Sequence, residues 1–234
     1  MRILSYNIHK GIGNDRRYRI QRVIDVILAE QPDVVCLQEV DRGVRRSRFD
    51  DQPRLLASEL GFPHALYQLN VRLRRGGYGN LLLTRYPIRE SHQISLRLRT
   101  KKPRGAQLAT LQIDGRALHV VHWHLGLSEA ERHWQMQHLL AHRCFRGAQH
   151  LPTVMIGDSN DWRNTLVGGT LGREGFELVT APPSRFRSFP SYLAMGSLDK
   201  AFVRGLRATH ARIANHRLAR RASDHLPLIL DLAW

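Results

Sequence analysis

The sequence predicts an α/β fold, and three observations carry that prediction. Runs of consecutive apolar residues, Asp33-Val34-Val35-Cys36-Leu37, Leu81-Leu82-Leu83 and Thr153-Val154-Met155-Ile156, have the composition of strands buried on both faces. Between the first two strand-like segments, Ile20, Val23, Ile24, Ile27 and Leu28 fall on one face of a helical pattern. Polar side chains then gather where strands end, most densely in Gly157-Asp158-Ser159-Asn160-Asp161, and α/β proteins collect ligand and catalytic groups at the carboxyl ends of strands. That last run also suits a turn with a helix cap, so alone it leaves both readings open.

In order, Arg2 to Ile8 reads as a first strand that places Asn7 at its end before Gly11 and Gly13. A helix follows over Arg16 to Glu30, with Asp15 as its cap and Pro32 as its stop. The strand Asp33 to Leu37 delivers Gln38, Glu39 and Asp41 at its end. Arg42 to Asp51 is a charged loop, Pro53 to Leu60 a short helix, and Gly76-Gly77-Tyr78-Gly79-Asn80 a turn leading into Leu81–Leu83. Ile94, Leu96 and Leu98 alternate with Ser95, Arg97 and Arg99, as in a strand with one wet face. Lys101, Lys102 and Arg104 continue a basic run that reads as a solvated loop, with a phosphate-facing role as the alternative.

Two more strands, Ala106 to Ile113 and Arg116 to Trp123, are joined by the hairpin dipeptide Asp114-Gly115 and lead to His124. Ser128 and Glu131 have capping-box spacing, and Trp134, Ala141, Cys144 and Phe145 supply the apolar face of the helix that follows. After the Asp158 segment, Asp161 to Leu166 starts a short helix, and Pro182 to Ser197 is a long loop. Leu198 to Val203 is a strand with Asp199 near its start. Arg204 to Arg221 holds six arginines and two histidines with little periodicity. Ser223-Asp224-His225 then precedes a half-buried final strand in which Leu226, Leu228, Leu230 and Leu232 alternate with other residues.

At 234 residues, with no linker-like composition break, one domain spanning 1–234 is expected. Cys36 and Cys144 are too few for a disulfide framework and read as packing residues in a reducing compartment. No apolar run is long enough to span a bilayer, and the amino terminus leads into a strand rather than a secretory signal, so a cytoplasmic, monomeric protein is expected. Lysine and arginine number 36 against 20 acidic residues, a net charge of +16, and only Lys10, Lys101, Lys102 and Lys200 are lysines. Genome base composition accounts for an arginine-for-lysine bias but not for the net charge. That surplus favours polyanionic partners, and the guanidinium fork suits phosphate.

Asn7, Glu39, His124, Asp158, Asn160, Asp199, Asp224 and His225 nearly all stand at strand termini, where they can converge in one cleft. Six pieces carry a resemblance: Ser5-Tyr6-Asn7, Leu37-Gln38-Glu39, Trp123-His124-Leu125, Gly157-Asp158-Ser159-Asn160, Leu198-Asp199-Lys200 and Ser223-Asp224-His225-Leu226-Pro227. In that order and over nearly the whole chain, they resemble the endonuclease/exonuclease/phosphatase superfamily of metal-dependent phosphoesterases, in its histidine-bearing, deoxyribonuclease-like branch. The resemblance implies two mixed sheets packed face to face between helices. It also implies that Glu39 binds Mg²⁺ or Mn²⁺, with Asn7 nearby and Asp224 as a further ligand of the metal or its water. Asp158 would orient or deprotonate the attacking water, and Asn160 would hold that water or the phosphate. Asp199 would fix the tautomer of His225, which with His124 would stabilise the transition state or assist the leaving group. Asn80, in the Gly79-Asn80-Leu81 turn, is implied as a phosphate contact.

This assignment has a physical basis of its own. A phosphodiester needs a Lewis acid, a base for water and donors for developing charge, and an oxygen-rich ligand set favours Mg²⁺ or Mn²⁺ over zinc. The chain departs from the family in two places: His122-Trp123-His124 stands for the usual Asn-Thr-His, and Ser159 for an aromatic residue or Thr. Abasic-site repair ranks lower because its enzymes usually carry a Tyr-containing segment in place of the histidine. His119, His133, His138 and His142 read as surface or packing residues. The expected function is hydrolysis of phosphodiester bonds in nucleic acid. The alternatives are a phospholipid or inositol-phosphate head group at an anionic membrane surface, and a non-catalytic polyanion-binding module.

Overall fold

A computed structural model describes residues 1–166 and 169–234. Among these described residues, twelve strands form two six-stranded sheets. The first has β1 (Arg2–Asn7), β2 (Val34–Arg42), β3 (His64–Arg72), β4 (Gly77–Thr84), β11 (Arg207–Ile213) and β12 (Leu228–Ala233), in the order β11-β12-β1-β2-β4-β3. The second has β5 (Ile88–Ser95), β6 (Gly105–Ile113), β7 (Arg116–His124), β8 (Thr153–Asp158), β9 (Glu177–Leu178) and β10 (Asp199–Arg204), in the order β5-β6-β7-β8-β10-β9. Helices α1 (Gln21–Glu30), α2 (Gln52–Glu59) and α6 (Arg217–Ala222) cover the first sheet, and α3 (Glu129–Ala141), α4 (Arg143–Gly147) and α5 (Thr170–Arg173) the second. This is the four-layer α/β sandwich that the resemblance implies.

Strand alternation separates the apolar layers. On β1 and β2, Ile3, Val34 and Cys36 face the other sheet, where they meet Leu111, Val120 and Ile156, while Leu4, Val35 and Leu37 face α1 and α2. On the far side, Met136, Leu139, Leu140 and Phe145 pack under the second sheet with Trp123 and Phe202. The helix that carries them departs from expectation: Trp134 and Ala141 lie off its buried face, and it breaks at His142, whose ring caps α4.

Each sheet has one parallel pair at its centre, β1 with β2 and β7 with β8. Parallel neighbours require a crossover, supplied by α1 in the first sheet and by α3 and α4 in the second. The consequence is functional: the second crossover brings the carboxyl ends of β7 and β8 side by side, and the first sets the end of β1 beside the bulged middle of β2, which continues to Arg42 rather than ending at Leu37. Asn7 lies in register with Gln38, and His124 with Asp158. Antiparallel β10 adds Asp199 directly opposite Asp158.

Several expectations are corrected. The glycine-rich turn is inside β4, and β5 runs from Ile88 to Ser95 so that Leu96 and Leu98 lie beyond it. His64–Arg72 forms an edge strand, and the basic stretch after Arg204 holds β11 and α6. Asp161–Leu166 is not a helix: the Asp161 carboxylate accepts from the amides of Thr165 and Leu166 and closes a turn. Asp15 does not cap α1, which starts at Gln21, but pairs with Arg22. The last strand is buried on both faces, with Leu228 and Leu230 toward the other sheet and Ile229 toward the helices. Among the described residues, no helix is long and apolar enough to cross a membrane.

Candidate active site

Asp158 is the centre of a buried hydrogen-bonded group. Its Oδ2 accepts from Asn7 Nδ2 at 3.0 Å and lies 3.4 Å from His124 Nε2 and 3.7 Å from His225 Nε2. Its Oδ1 accepts from the Asn160 amide at 3.0 Å. Behind His225, the Nδ1 bonds Asp199 Oδ2 at 3.0 Å, and Ser188 Oγ donates to the same oxygen at 2.6 Å. Five of the expected residues, Asn7, His124, Asp158, Asp199 and His225, therefore share one network.

The two histidines are held in opposite charge states. Burial lowers the His124 pKa well below the ordinary value, and Arg104 adds to this by donating to His124 Nδ1 at 3.1 Å. An acceptor at Nδ1 puts the ring proton on Nε2, so a neutral imidazole donates toward Asp158. His225 is equally buried, and burial alone would lower it. Asp199 and Asp158 on its two sides outweigh that and raise it to about 10, which keeps it imidazolium at neutral pH. Asp158 itself is raised to about 6, because burial and Asp199 oppose its charge more than His225 supports it.

Glu39 reaches the cleft through a β-bulge. The register between β2 and β4 shifts between Leu37 and Val40, and Glu39 has φ 59°, a left-handed conformation that costs a residue of this kind roughly 1–2 kcal/mol. Lys10, with φ 63° in the loop after β1, pairs its ammonium with Glu39 Oε2. Burial would raise the Glu39 carboxyl, but Lys10, with Lys102 and Arg104 beyond it, holds it below the ordinary value. Lys10, Lys102 and Arg46 all lie over the ring of Tyr78, 5.1 to 5.7 Å from its centroid. Asp224 is partly exposed on the same side as His9, whose Nδ1 is 3.8 Å from its carboxylate.

Other expected residues serve as braces. Asn160, at φ 49°, donates its side-chain amide to Leu125 O at 3.0 Å. Asn80 is fully buried and donates to Gly105 O, next to Arg104, at 3.0 Å. The basic run divides: Lys101 and Lys102 are exposed, whereas Arg104 is buried against His124. His119 is buried and lowered to about 4, chiefly by burial, in keeping with a packing role.

The two departures from the family pattern have structural partners here. The Trp123 indole donates to Ser159 Oγ at 3.2 Å, so the large residue on β7 and the small one after β8 form one pair. Gly157, at φ 152°, makes room for them, since a Cβ there would lie 2.1 Å from Trp123 O and 2.8 Å from the indole. His122 is fully buried between the sheets, where Gln38 donates to its Nε2 at 2.7 Å and its Nδ1 faces Gln107 Oε1 at 2.9 Å. Sequence reasoning missed Lys10 and Ser188 altogether. Ser188 left no signal, but Lys10 did, as one of four lysines and three residues past a strand-end Asn.

The donor set bears on where a cation would sit. Asp158, Asp199 and His225 lie within 4.8 Å of one another, but both nitrogens of His225 face carboxylates and its ring is already cationic. With His225 Nδ1 bonded to Asp199 and its Nε2 facing Asp158, the three side chains form a hydrogen-bonded row in this arrangement. Glu39 is different: a carboxylate with little exposure, paired among the described residues with the Lys10 ammonium, while Asn7 Oδ1 and the Asp224 carboxylate both face His9. These oxygen donors fit a hard divalent cation.

Comparison with known proteins places this geometry. The sequence profile of the Endonuclease/Exonuclease/phosphatase family matches residues 4–225. YbhP of Escherichia coli K12 is 30% identical over 243 residues, covering 99% of this chain and 95% of that protein. A crystal structure of an endonuclease/exonuclease/phosphatase from Beutenbergia cavernae superposes with a TM-score of 0.85 at 23% identity, over 99% of this chain and 71% of the other. The mannosyl-6-phosphatase Bt3783 of Bacteroides thetaiotaomicron superposes with a TM-score of 0.73 at 17% identity, over 100% of both chains. With that match running through Asn7, Glu39, His124, Asp158, Asp199 and His225, the chain belongs to the endonuclease/exonuclease/phosphatase family.

Proposed function

We propose that the protein is a divalent-metal-assisted phosphodiester hydrolase in which Asp158 is the general base. The observation that carries this reading is the Asp158 carboxylate, raised to about 6 yet fixed by Asn7, His124 and the Asn160 amide. A base with that pKa is mostly ionised at neutral pH and still a competent proton acceptor. Asn7 and the Asn160 amide hold its oxygens, so water meets a carboxylate that cannot rotate. His225, kept cationic by Asp199, supplies positive charge and an N–H where charge accumulates on phosphorus-bound oxygens. His124 supplies a neutral N–H beside it, and Arg104 fixes its tautomer. Glu39, with Asn7 and Asp224, would hold Mg²⁺ or Mn²⁺, which when bound polarises the phosphoryl oxygens.

For the substrate, the +16 charge supports nucleic acid, since cations facing phosphates supply most non-specific affinity for it. A second reading, a phospholipid head group, is favoured by exposed apolar side chains around the pocket. The Bacteroides mannosyl-6-phosphatase shares this fold, so a phosphomonoester belongs among the substrates tried. The test is incubation of the purified protein with DNA, RNA, phospholipid vesicles and bis(p-nitrophenyl) phosphate, with and without Mg²⁺ or Mn²⁺. Cation-dependent hydrolysis of the diester, lost in Asp158→Asn, is the expected result. Hydrolysis that persists in excess chelator overturns the metal assignment, and hydrolysis by Asp158→Asn overturns the base.

A further inference from the structure

Among the described residues, the five most exposed large apolar side chains are Leu127 at 71%, Tyr192 at 68%, Leu193 at 59%, Met195 at 57% and Trp162 at 53%. They lie in three loops that flank the Asp158 group. Trp162 follows the Asp158 segment, and its ring meets Phe189 edge-on at 5.9 Å, while Phe189 lies 4.8 Å from the His225 ring. Tyr192, Leu193 and Met195 belong to the turn between Phe189 and Gly196, two residues that form an isolated antiparallel bridge. Leu127 lies two residues past Leu125, the acceptor for Asn160, and its carbonyl is held by Arg132, which also reaches Asp161 beside Trp162.

The rim is built rather than frayed. Gly196 lies under the Trp162 ring so closely that a Cβ would come within 2.6 Å of it. Ser191 anchors the turn by donating to the carbonyls of Ser223 and Arg220. The side chains around it are cationic: Arg163, Arg187, Arg220 and Arg221 are all exposed. Bulky apolar side chains held outward at loop tips, with arginines beside them, complement a surface that is anionic outside and apolar a few ångströms deeper.

We propose that this rim docks the protein on an anionic lipid surface and that the phosphoester presented to Asp158 belongs to a lipid head group. The substrate part rests on the phosphoesterase reading above, whereas the docking part does not. Single-stranded nucleic acid would stack its bases on Trp162 and Tyr192 but offers no comparable partner for Leu127, Leu193 and Met195. An acyl layer takes all five side chains. The ring contacts from Trp162 through Phe189 to His225 join the rim to the Asp158 group.

The docking test uses wild-type protein and the variant Tyr192→Ser/Leu193→Ser/Met195→Ser, none of which belongs to the catalytic group. With vesicles of phosphatidylglycerol and phosphatidylcholine, the variant should lose about tenfold or more in partitioning, because three side chains no longer insert. It should keep wild-type turnover on soluble bis(p-nitrophenyl) phosphate, which also reports that it is folded. Brominated acyl chains should quench tryptophan emission in wild type and much less in Trp162→Phe. Equal partitioning of variant and wild type, or quenching that survives Trp162→Phe, overturns the docking. A variant that keeps vesicle binding but loses single-stranded DNA assigns the rim to nucleic acid instead. If vesicles bind through the rim and DNA or RNA is cut while vesicle lipid stays intact, the lipid-substrate part fails. Absence of any hydrolysis, of soluble diester included, refutes the phosphoesterase reading and leaves the docking result standing.

Discussion

On the β8 side of the cleft both oxygens of Asp158 are engaged by fixed donors, whereas on the β2 side Glu39 meets, among the described residues, the ammonium of one flexible lysine. The first wall is wired through Asn7, His124, His225, Asp199 and Ser188, all buried, so its charges are set by geometry. The second wall is a carboxylate on a bulge, balanced by the Lys10 ammonium and by further cations gathered on Tyr78. A rigid, desolvated wall suits proton transfer, where pKa and orientation decide the rate. A carboxylate with an exchangeable cation suits a metal that must enter and leave.

The largest break in that comparison comes from removing the base. Asp158→Asn keeps the shape and deletes the charge, so kcat should fall by about 10²–10⁴ with KM little changed, since a general base acts in the transition state. Steady-state kinetics on bis(p-nitrophenyl) phosphate checks this, and a loss confined to KM would assign Asp158 to binding.

Next is the relay behind it. If Asp199 acts only through His225, Asp199→Ala, His225→Ala and the double variant should lose similar amounts of kcat, because groups acting as a unit are not additive. Fully additive losses would separate their roles. The same wall sets the pH profile. Activity should fall with acid as Asp158 takes a proton near 6, and with alkali as His225 loses one near 10. The Asp199 charge raises both groups, so Asp199→Asn should move both limbs to lower pH. A profile that keeps its limbs in this variant would sever Asp199 from the titrating pair.

The smallest effects belong to the other wall. Glu39→Gln should weaken Mn²⁺ binding measured by calorimetry, since it removes an anionic oxygen donor. Lys10→Met should tighten the same binding at least several-fold, because a largely buried ammonium paired with the carboxylate competes directly with an incoming cation. Weaker Mn²⁺ binding in Lys10→Met would mean that the lysine supports the site rather than competing for it.

The sequence alone determined the fold class, most strand positions and several of the polar residues that the fold brings together around Asp158. Continuous apolar runs such as Val34–Leu37 are committed to burial on both faces by composition, and the polar residue that follows each run has to stand at its end. Elements lacking that contrast were not legible. His64–Arg72 is an edge strand of mixed burial, and β11 and α6 lie among arginines whose stems cover apolar neighbours while the charges stay in water. Only tertiary structure decided the rest. Two crossovers set Asn7 beside Gln38 and His124 beside Asp158, and that adjacency turned separate strand ends into one network. The different charge states of His124 and His225 also have no local signature, since both are buried imidazoles. They differ because folding brings Arg104 to one ring and two carboxylates to the other, and at contact distance in a buried site such neighbours outweigh any intrinsic preference.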